Sequence, residues 1–303
     1  MNNFGYSARW RDLLSVGFLS FLLIAALFPF VLAHPNDYFF LTGGDALQSH
    51  YATAFYALHD HGVRFTGMNY PYGEHFNYPN LQPLIALVMN WLQQAGIPAA
   101  RHTVAITNLV ALLGVMVTPV VLFSILRRLS LPVGYAMLMA LLIGYLSPQI
   151  DRLGGHMSLS YTCFVPMLWY CIIRMQENPY QWRWYILFGI GSILMGLVML
   201  YFLACGSFFL LGHIAVLYWR QPRAWVLLRR MLLAALLPLL LFRGWLWLTD
   251  TVADRPPNPY GLFTYVATPL SVFSPILPPC ATGGRPFFIR QIRILRGGAM
   301  WVL

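Results

Sequence analysis

The chain carries a series of apolar stretches, each close to the length that a helix needs to cross a bilayer. They cover approximately residues 13–33, 103–126, 133–149, 157–175, 184–200, 202–219 and 231–249. About 20 helical residues span the hydrocarbon core, and backbone in lipid must satisfy its own hydrogen bonds, which favours helices. Only 9% of the residues are charged, against about 25% in soluble domains. The sequence therefore predicts an all-α polytopic membrane protein with about seven transmembrane helices.

Two apolar stretches need a separate interpretation. Residues 13–33 are long for the apolar part of a signal peptide, and no clear small-residue cleavage site precedes His34. We therefore expect an uncleaved first helix. Residues 81–96 are too short for a comfortable span, and they fit a re-entrant or interfacial helix better.

The arginines predict the orientation of the spans. All 19 basic residues are arginine. If the N-terminus is cytoplasmic and 81–96 does not cross, most arginines outside the spans fall in the inner connections: Arg9, Arg11, Arg127, Arg128, Arg183, Arg220, Arg223, Arg229 and Arg230. The short outer connections then hold only Arg64, Arg101 and Arg152, as the positive-inside rule expects. Topology thus accounts for the net charge of +10, and we expect no nucleic-acid partner.

The long first outer loop, His34–Gln82, concentrates groups that titrate, bind metals or stack on rings. It holds four of the nine acidic residues and five of the eight histidines. Aromatic residues lie between them. We expect this loop to be the catalytic part of the chain.

Asp45 is the sharpest candidate in this loop. It follows Gly43–Gly44 and opens the run DALQSHYATAFYALHDH, whose apolar residues fall on one helical face, as in an interfacial helix. Asp45 either only caps this helix or is a general base or metal ligand. The two roles are compatible, because a helix N-terminus stabilises a carboxylate.

The segment NYPYGEHFNYPN supplies the next candidates, Tyr72, Glu74 and His75. A second carboxylate, an imidazole and flanking aromatic rings are suited to binding a sugar. A solvated loop with an interfacial aromatic belt is the alternative.

The second outer loop contains Asp151, Arg152 and His156, three ionisable groups in six residues. Asp45 and Asp151 are candidate ligands for a divalent metal. Arg243 lies within the last apolar stretch, about 9 Å from its outer end. It either extends to the membrane surface or holds a lipid-linked phosphate.

Residues 1–250 form the predicted membrane domain, and 251–303 a Pro-rich outer segment that ends in an irregular basic stretch. Residues 280–303 resemble neither a span nor a finished domain. A truncated or frame-disrupted end and a genuine basic tail remain open for them.

The whole pattern resembles the membrane-embedded glycosyltransferases of the GT-C fold, especially bacterial members of unassigned acceptor. The features that carry the resemblance are GGDALQSHY in the first outer loop, YPYGE further along it, serial spans, and a second outer loop from Arg152 to His156. The resemblance covers about residues 10–275. We expect the chain to depart from this family by lacking a substantial C-terminal extracytoplasmic domain.

This resemblance implies a bacterial inner-membrane enzyme that moves a sugar from a polyprenyl-phosphate carrier to an acceptor at the outer face. The family's catalytic Asp corresponds to Asp45. Glu74, His75, Tyr72, Arg152, His156 and Arg243 are then the expected substrate-binding residues. The alternatives are a transporter or flippase for lipid-linked glycans, and a non-catalytic membrane assembly subunit.

Overall fold

The structure, a computed structural model, describes residues 8–40, 44–221, 223–255 and 292–293. Within these residues the chain is mostly helical. Its α-helices are α1 (Trp10–Leu27), α2 (Pro29–Ala33), α3 (Gly44–His59), α4 (Pro83–Gln94), α5 (Thr103–Arg128), α6 (Val133–Tyr145), α7 (Phe164–Glu177), α8 (Trp182–Gly196), α9 (Leu200–Arg220) and α10 (Trp225–Thr249). Short 3₁₀ turns occur at Ala99–His102, Ile150–Gly154 and Met157–Leu159.

The strands are two residues long and form two antiparallel pairs. β1 (Tyr38–Phe39) pairs with β4 (Ile292–Arg293). β2 (Arg64–Phe65) pairs with β3 (Glu74–His75). The second pair closes the loop that contains the predicted sugar-binding turn.

Five stretches of the described residues are long and apolar enough to cross a membrane. They are Trp10–Leu27, Ala99–Arg128, Val133–Gly154, Leu200–Arg220 and Trp225–Thr249. The predicted all-α membrane protein is thus confirmed in this coarse form. α7 and α8 have 14 and 15 residues, so the count of seven spans remains a prediction.

Two predicted spans begin or end elsewhere for identifiable reasons. The first span, expected over 13–33, is divided at Phe28 into α1 and α2. Pro29 lacks a backbone N–H and favours the first position of a new helix. The fourth span, expected from residue 157, begins only at Phe164. The hydroxyl of Ser160 donates to the Met157 carbonyl, a local bond that competes with a helix. The Thr162 hydroxyl pairs instead with Thr118 of α5.

α5 is the central helix of the bundle, and its polar side chains are paired. Asn108 donates hydrogen bonds to the carbonyls of Pro35 and Tyr38, 3.0 and 2.8 Å away. The backbone of α5 also accepts a bond from Ser20 of α1. These bonds attach the first helix and the start of the long loop to α5.

One end of the bundle, which we call the α3 face, carries α3 and α4. The amide of Leu84 in α4 donates to the carbonyl of Leu197, between α8 and α9, at 2.8 Å. His75 contacts Thr249 at the end of α10. The expected short helix at 81–96 is confirmed as α4. Its far end stays on this face, where Gln93 contacts Ala100 before α5.

The opposite end, which we call the arginine face, carries the ends of α5, α7 and α9 and the start of α10. Arg128 of α5 bonds to Glu177 at the end of α7. Arg230 of α10 donates to the carbonyl of Pro179 at 2.8 Å. The segments expected outside and the segments expected in the cytoplasm therefore collect at opposite ends of the bundle.

We expect the two faces to lie on opposite sides of the membrane. Cysteines introduced by His61→Cys and Gln181→Cys, at exposed positions of the α3 face and the arginine face, should react with an impermeant maleimide from opposite sides. The measurement compares intact cells with inverted vesicles, after replacement of the four native cysteines by serine. Labelling of both positions from one side would contradict the arrangement.

Candidate functional site

The structure brings the two outer-loop motifs together at one contact. Nδ1 of His156 lies 2.8 Å from Oδ2 of Asp45. Both side chains are about half exposed, at 47% and 48%. The amide of Asn80 donates to the Asp45 carbonyl at 2.7 Å. Three segments that are distant in sequence therefore meet around one accessible carboxylate and one accessible imidazole.

Both partners of this contact are held by buried neighbours. Leu153 and Met157, on either side of the turn that carries His156, are 0% and 1% exposed. Ala46, next to Asp45, is 1% exposed. Anchored flanking residues position a reactive pair more firmly than a free loop does.

The expectation that Asp45 caps a helix needs correction. α3 begins at Gly44, so Asp45 lies within the first turn. A carboxylate there is still favoured by the helix dipole. Its side chain, however, faces His156.

α3 lies on α5 through small and polar residues. Its apolar side chains Leu47, Tyr51 and Leu58 are 43–54% exposed. On the packed side, Nδ1 of His50 lies 3.0 Å from the Thr107 hydroxyl. Burial lowers the pKa of His50 to about 4, so this histidine is neutral at physiological pH. The predicted apolar stripe is therefore free to lie against a membrane surface.

A cluster of opposite charges holds the aromatic turn. Arg255 forms ion pairs with Glu74 and Asp250, and its guanidinium lies 4.2 Å from the centre of the Tyr78 ring. We call Glu74, Tyr78, Asp250 and Arg255 the Arg255 cluster. Glu74 is thus bound by an arginine, and whether it also binds substrate stays a prediction.

Burial and the charges of this cluster shift the pKa values of Asp250 and of the neighbouring His75. Hydrogen bonds from Arg255 hold the pKa of Asp250 below its ordinary value, against the opposing effect of burial. Burial lowers the pKa of His75, and the Asp250 carboxylate opposes this. His75 is 2% exposed and lies 3.1 Å from the Thr249 hydroxyl. The histidine therefore connects the turn to the end of α10.

A cavity of about 590 Å³ lies between the aromatic turn and the segment after α10. Tyr72, Glu74 and His75, three of the predicted substrate-binding residues, line it, together with Arg64 and Asp254. Tyr72 is 60% exposed. The cavity offers an aromatic ring and polar groups of both charges.

The remaining predicted residues lie at separate places. Arg152 and Asp151 are exposed in the turn that precedes His156. Arg243 is exposed on α10, near enough to Tyr78 for its charge to oppose the rise that burial causes in the Tyr78 pKa. Arg243 therefore lies beside the Arg255 cluster.

The described residues do not supply a set of ligands for the predicted metal. Among the described residues, no group of three or more histidines, cysteines or carboxylates is arranged to hold an ion. One oxygen of Asp45 is occupied by His156. Asp45 and Asp151 remain predicted metal ligands.

Sequence reasoning missed Asp250 and Arg255. Both follow the last span, in a stretch that reads as a Pro-rich connector. The available signal was local, because two acids and one arginine occur within the six residues 250–255. Only the return of this stretch onto the aromatic turn gives them their role.

We expect Arg255→Gln to lower the stability of the folded protein. The change removes the cation between Glu74 and Asp250, and lost hydrogen bonds to charged groups cost about 1–3 kcal/mol. A lower melting temperature in detergent is the expected readout. Arg101→Gln is the control, because the exposed Arg101 side chain forms no ion pair among the described residues. Equal melting temperatures for both variants would contradict a stabilising cluster.

The comparisons with known proteins identify a family but do not identify an activity. A family model described as "Domain of unknown function (DUF6311)" matches residues 17–286. Searches of the curated proteins and of the solved structures give no match. The matched range includes both outer loops and the described helices from α2 to α10.

Proposed function

Since the chain belongs to the DUF6311 family, a family of unknown function, we propose its function from the site: it transfers a sugar from a polyprenyl-phosphate carrier to an acceptor at the outer face of a membrane. The contact between Asp45 and His156 carries this proposal. Two short polar motifs in separate connections meet at 2.8 Å while both side chains remain accessible. Both groups can therefore be reached by a substrate.

The pair is suited to activating a hydroxyl. The acceptor oxygen attacks the anomeric carbon of the donor, and the bond from that carbon to the phosphate oxygen breaks. The electron pair leaves with the lipid phosphate, and the acceptor proton passes to the Asp45–His156 pair. Nδ1 of His156 is engaged by Asp45, which leaves Nε2 and the second carboxylate oxygen to face a substrate.

A phosphate leaving group needs neutralisation of charge more than it needs a proton. Arg152 is exposed four residues before His156, and Arg243 is exposed about 9 Å from the end of α10. We assign the lipid phosphate to these guanidiniums. The cavity lined by Tyr72, Glu74 and His75 is the proposed place for sugar or acceptor.

The proposal includes the finer topology. α7 and α8 connect the two faces although they are short, because Arg128 holds the end of α7 at one face and Leu84 holds the α8–α9 connection at the other. Helix α1 and the six helices α5–α10 then all cross the membrane, which gives the seven spans predicted from the sequence. The arginine face is cytoplasmic by the positive-inside rule, and the membrane is the bacterial inner membrane.

The transporter alternative predicts broken helices near the middle of the membrane. Pro119 and Pro238 are the residues most able to break α5 and α10. Both helices continue through them without interruption. This observation favours the enzyme over the transporter, and a non-catalytic subunit would have no need of the exposed pair.

Asp45→Asn should reduce sugar transfer by 10²–10⁴-fold, the usual cost of losing a general base. Asparagine keeps the shape of the side chain but accepts no proton. Membrane insertion and melting temperature should change little, because a first-turn charge contributes only about 0.3–1 kcal/mol. The assay uses a radiolabelled polyprenyl-phosphate sugar. Asp12→Asn is the matched control, since Asp12 also lies in the first turn of a helix.

His156→Asn distinguishes the two members of the pair. The asparagine amide can replace the Nδ1–H donor to Asp45 but cannot act as a base. If Asp45 takes the proton, His156→Asn should keep measurable transfer while Asp45→Asn does not. Wild-type transfer rates in Asp45→Asn would overturn the assignment of Asp45 as the catalytic base.

Arg243→Lys should weaken donor binding, because lysine lacks the planar fork that holds a phosphate. The measurement is the affinity for a polyprenyl-phosphate sugar. Arg229→Lys is the control, since Arg229 is exposed near the other end of the same helix. Equal donor affinity of Arg243→Lys and the wild type would show that Arg243 only extends to the membrane surface.

A further inference from the structure

A second cavity, of about 670 Å³, opens at the arginine face, at the opposite end of the bundle from Asp45. The end of α5, the last turns of α7 and α9, and the start of α10 enclose it. The function proposed above makes no use of it.

The polar part of the cavity wall has an excess of positive charge. Nη1 of Arg128 lies 2.6 and 2.7 Å from the two oxygens of Glu177, and Arg174 donates to the same carboxylate. Arg220 lines the cavity and forms no ion pair among the described residues. Among the residues that line the cavity, Arg128, Arg220 and Glu177 leave a net charge of +1. Arg174 also binds Glu177 but does not line the cavity.

The other part of the wall is apolar. Leu129, Trp169, Ile173, Val216, Leu217 and Leu227 form it. Gln176 and His213, which lie 2.5 Å apart through their Nε2 atoms, stand between the apolar and the charged parts. A ligand that fits this wall has an anionic end and a hydrocarbon part.

Exposed aromatic residues lie on the same face as the cavity. Tyr180, Trp182, Tyr218, Trp219 and Trp225 are 47–88% exposed. Tyrosine and tryptophan gather at the level of lipid head groups. The mouth of the cavity therefore lies where a phospholipid presents its phosphate.

We propose that this cavity binds one anionic glycerophospholipid of the surrounding leaflet. Arg220 and Arg128 hold the phosphate, and the acyl chains lie along the apolar wall. Basic pockets between membrane helices bind acidic head groups in this way. A soluble phosphate compound would use the guanidiniums but leave the apolar wall and the exposed rings unused.

The test measures retention of phosphatidylglycerol by the purified full chain in detergent, by native mass spectrometry. Arg220→Gln should reduce its affinity about fivefold, which corresponds to about 1 kcal/mol for one arginine near an anionic lipid. Arg223→Gln, exposed on the same face but outside the cavity wall, should retain the lipid as the wild type does. Phosphatidylcholine should be retained weakly by all three proteins.

Two results would overturn the proposal. One is equal affinity of Arg220→Gln and the wild type for phosphatidylglycerol, with both proteins shown to be folded by thermal unfolding. The other is displacement of the lipid by glycerol 3-phosphate at equal concentration, which would identify the site as one for soluble phosphates. Neither result depends on whether the chain transfers a sugar.

Discussion

A backbone in lipid has no water to satisfy its hydrogen-bonding groups, and the rest of this structure depends on that constraint. The described chain answers it with long helices, and buried polar side chains of α5 have hydrogen-bond partners. Asn108 binds two loop carbonyls, and Thr118 pairs with Thr162 between α5 and the segment before α7. The accessible titratable groups Asp45 and His156 lie at one end of the bundle.

The two ends have opposite electrical characters. The α3 face holds the carboxylates of Asp45, Glu74 and Asp250 and pairs each with a cationic or titratable partner. The arginine face has two carboxylates among the described residues of its helix ends, Asp12 and Glu177. Glu177 is shared between Arg128 and Arg174. The orientation proposed above turns the arginine face toward the leaflet in which anionic lipid accumulates.

Periodicity predicted α3, and short motifs predicted the positions of Asp45 and His156, because both signals are local. The contact between these two residues follows from packing of helices more than 100 residues apart, so no local pattern contains it. The role of Arg255 could not be predicted from the sequence for the same reason. Its partners Glu74 and Asp250 are acidic residues in turn-rich sequence, and only the return of the chain after α10 brings them together. The start of α7 was misplaced because hydropathy ignores the hydroxyl bonds of Ser160 and Thr162.

The hydrogen bond between Leu84 and Leu197 attaches the start of α4 to the connection between α8 and α9. Four residues before Leu84, Asn80 holds the carbonyl of Asp45. At this same end of α4, Leu84 contacts the connection between α8 and α9, and α9 lines the cavity at the arginine face with Arg220. Five residues, Asn80–Leu84, therefore connect the backbone of Asp45 to the α8–α9 connection, so the position of the candidate site depends on how these two helices pack.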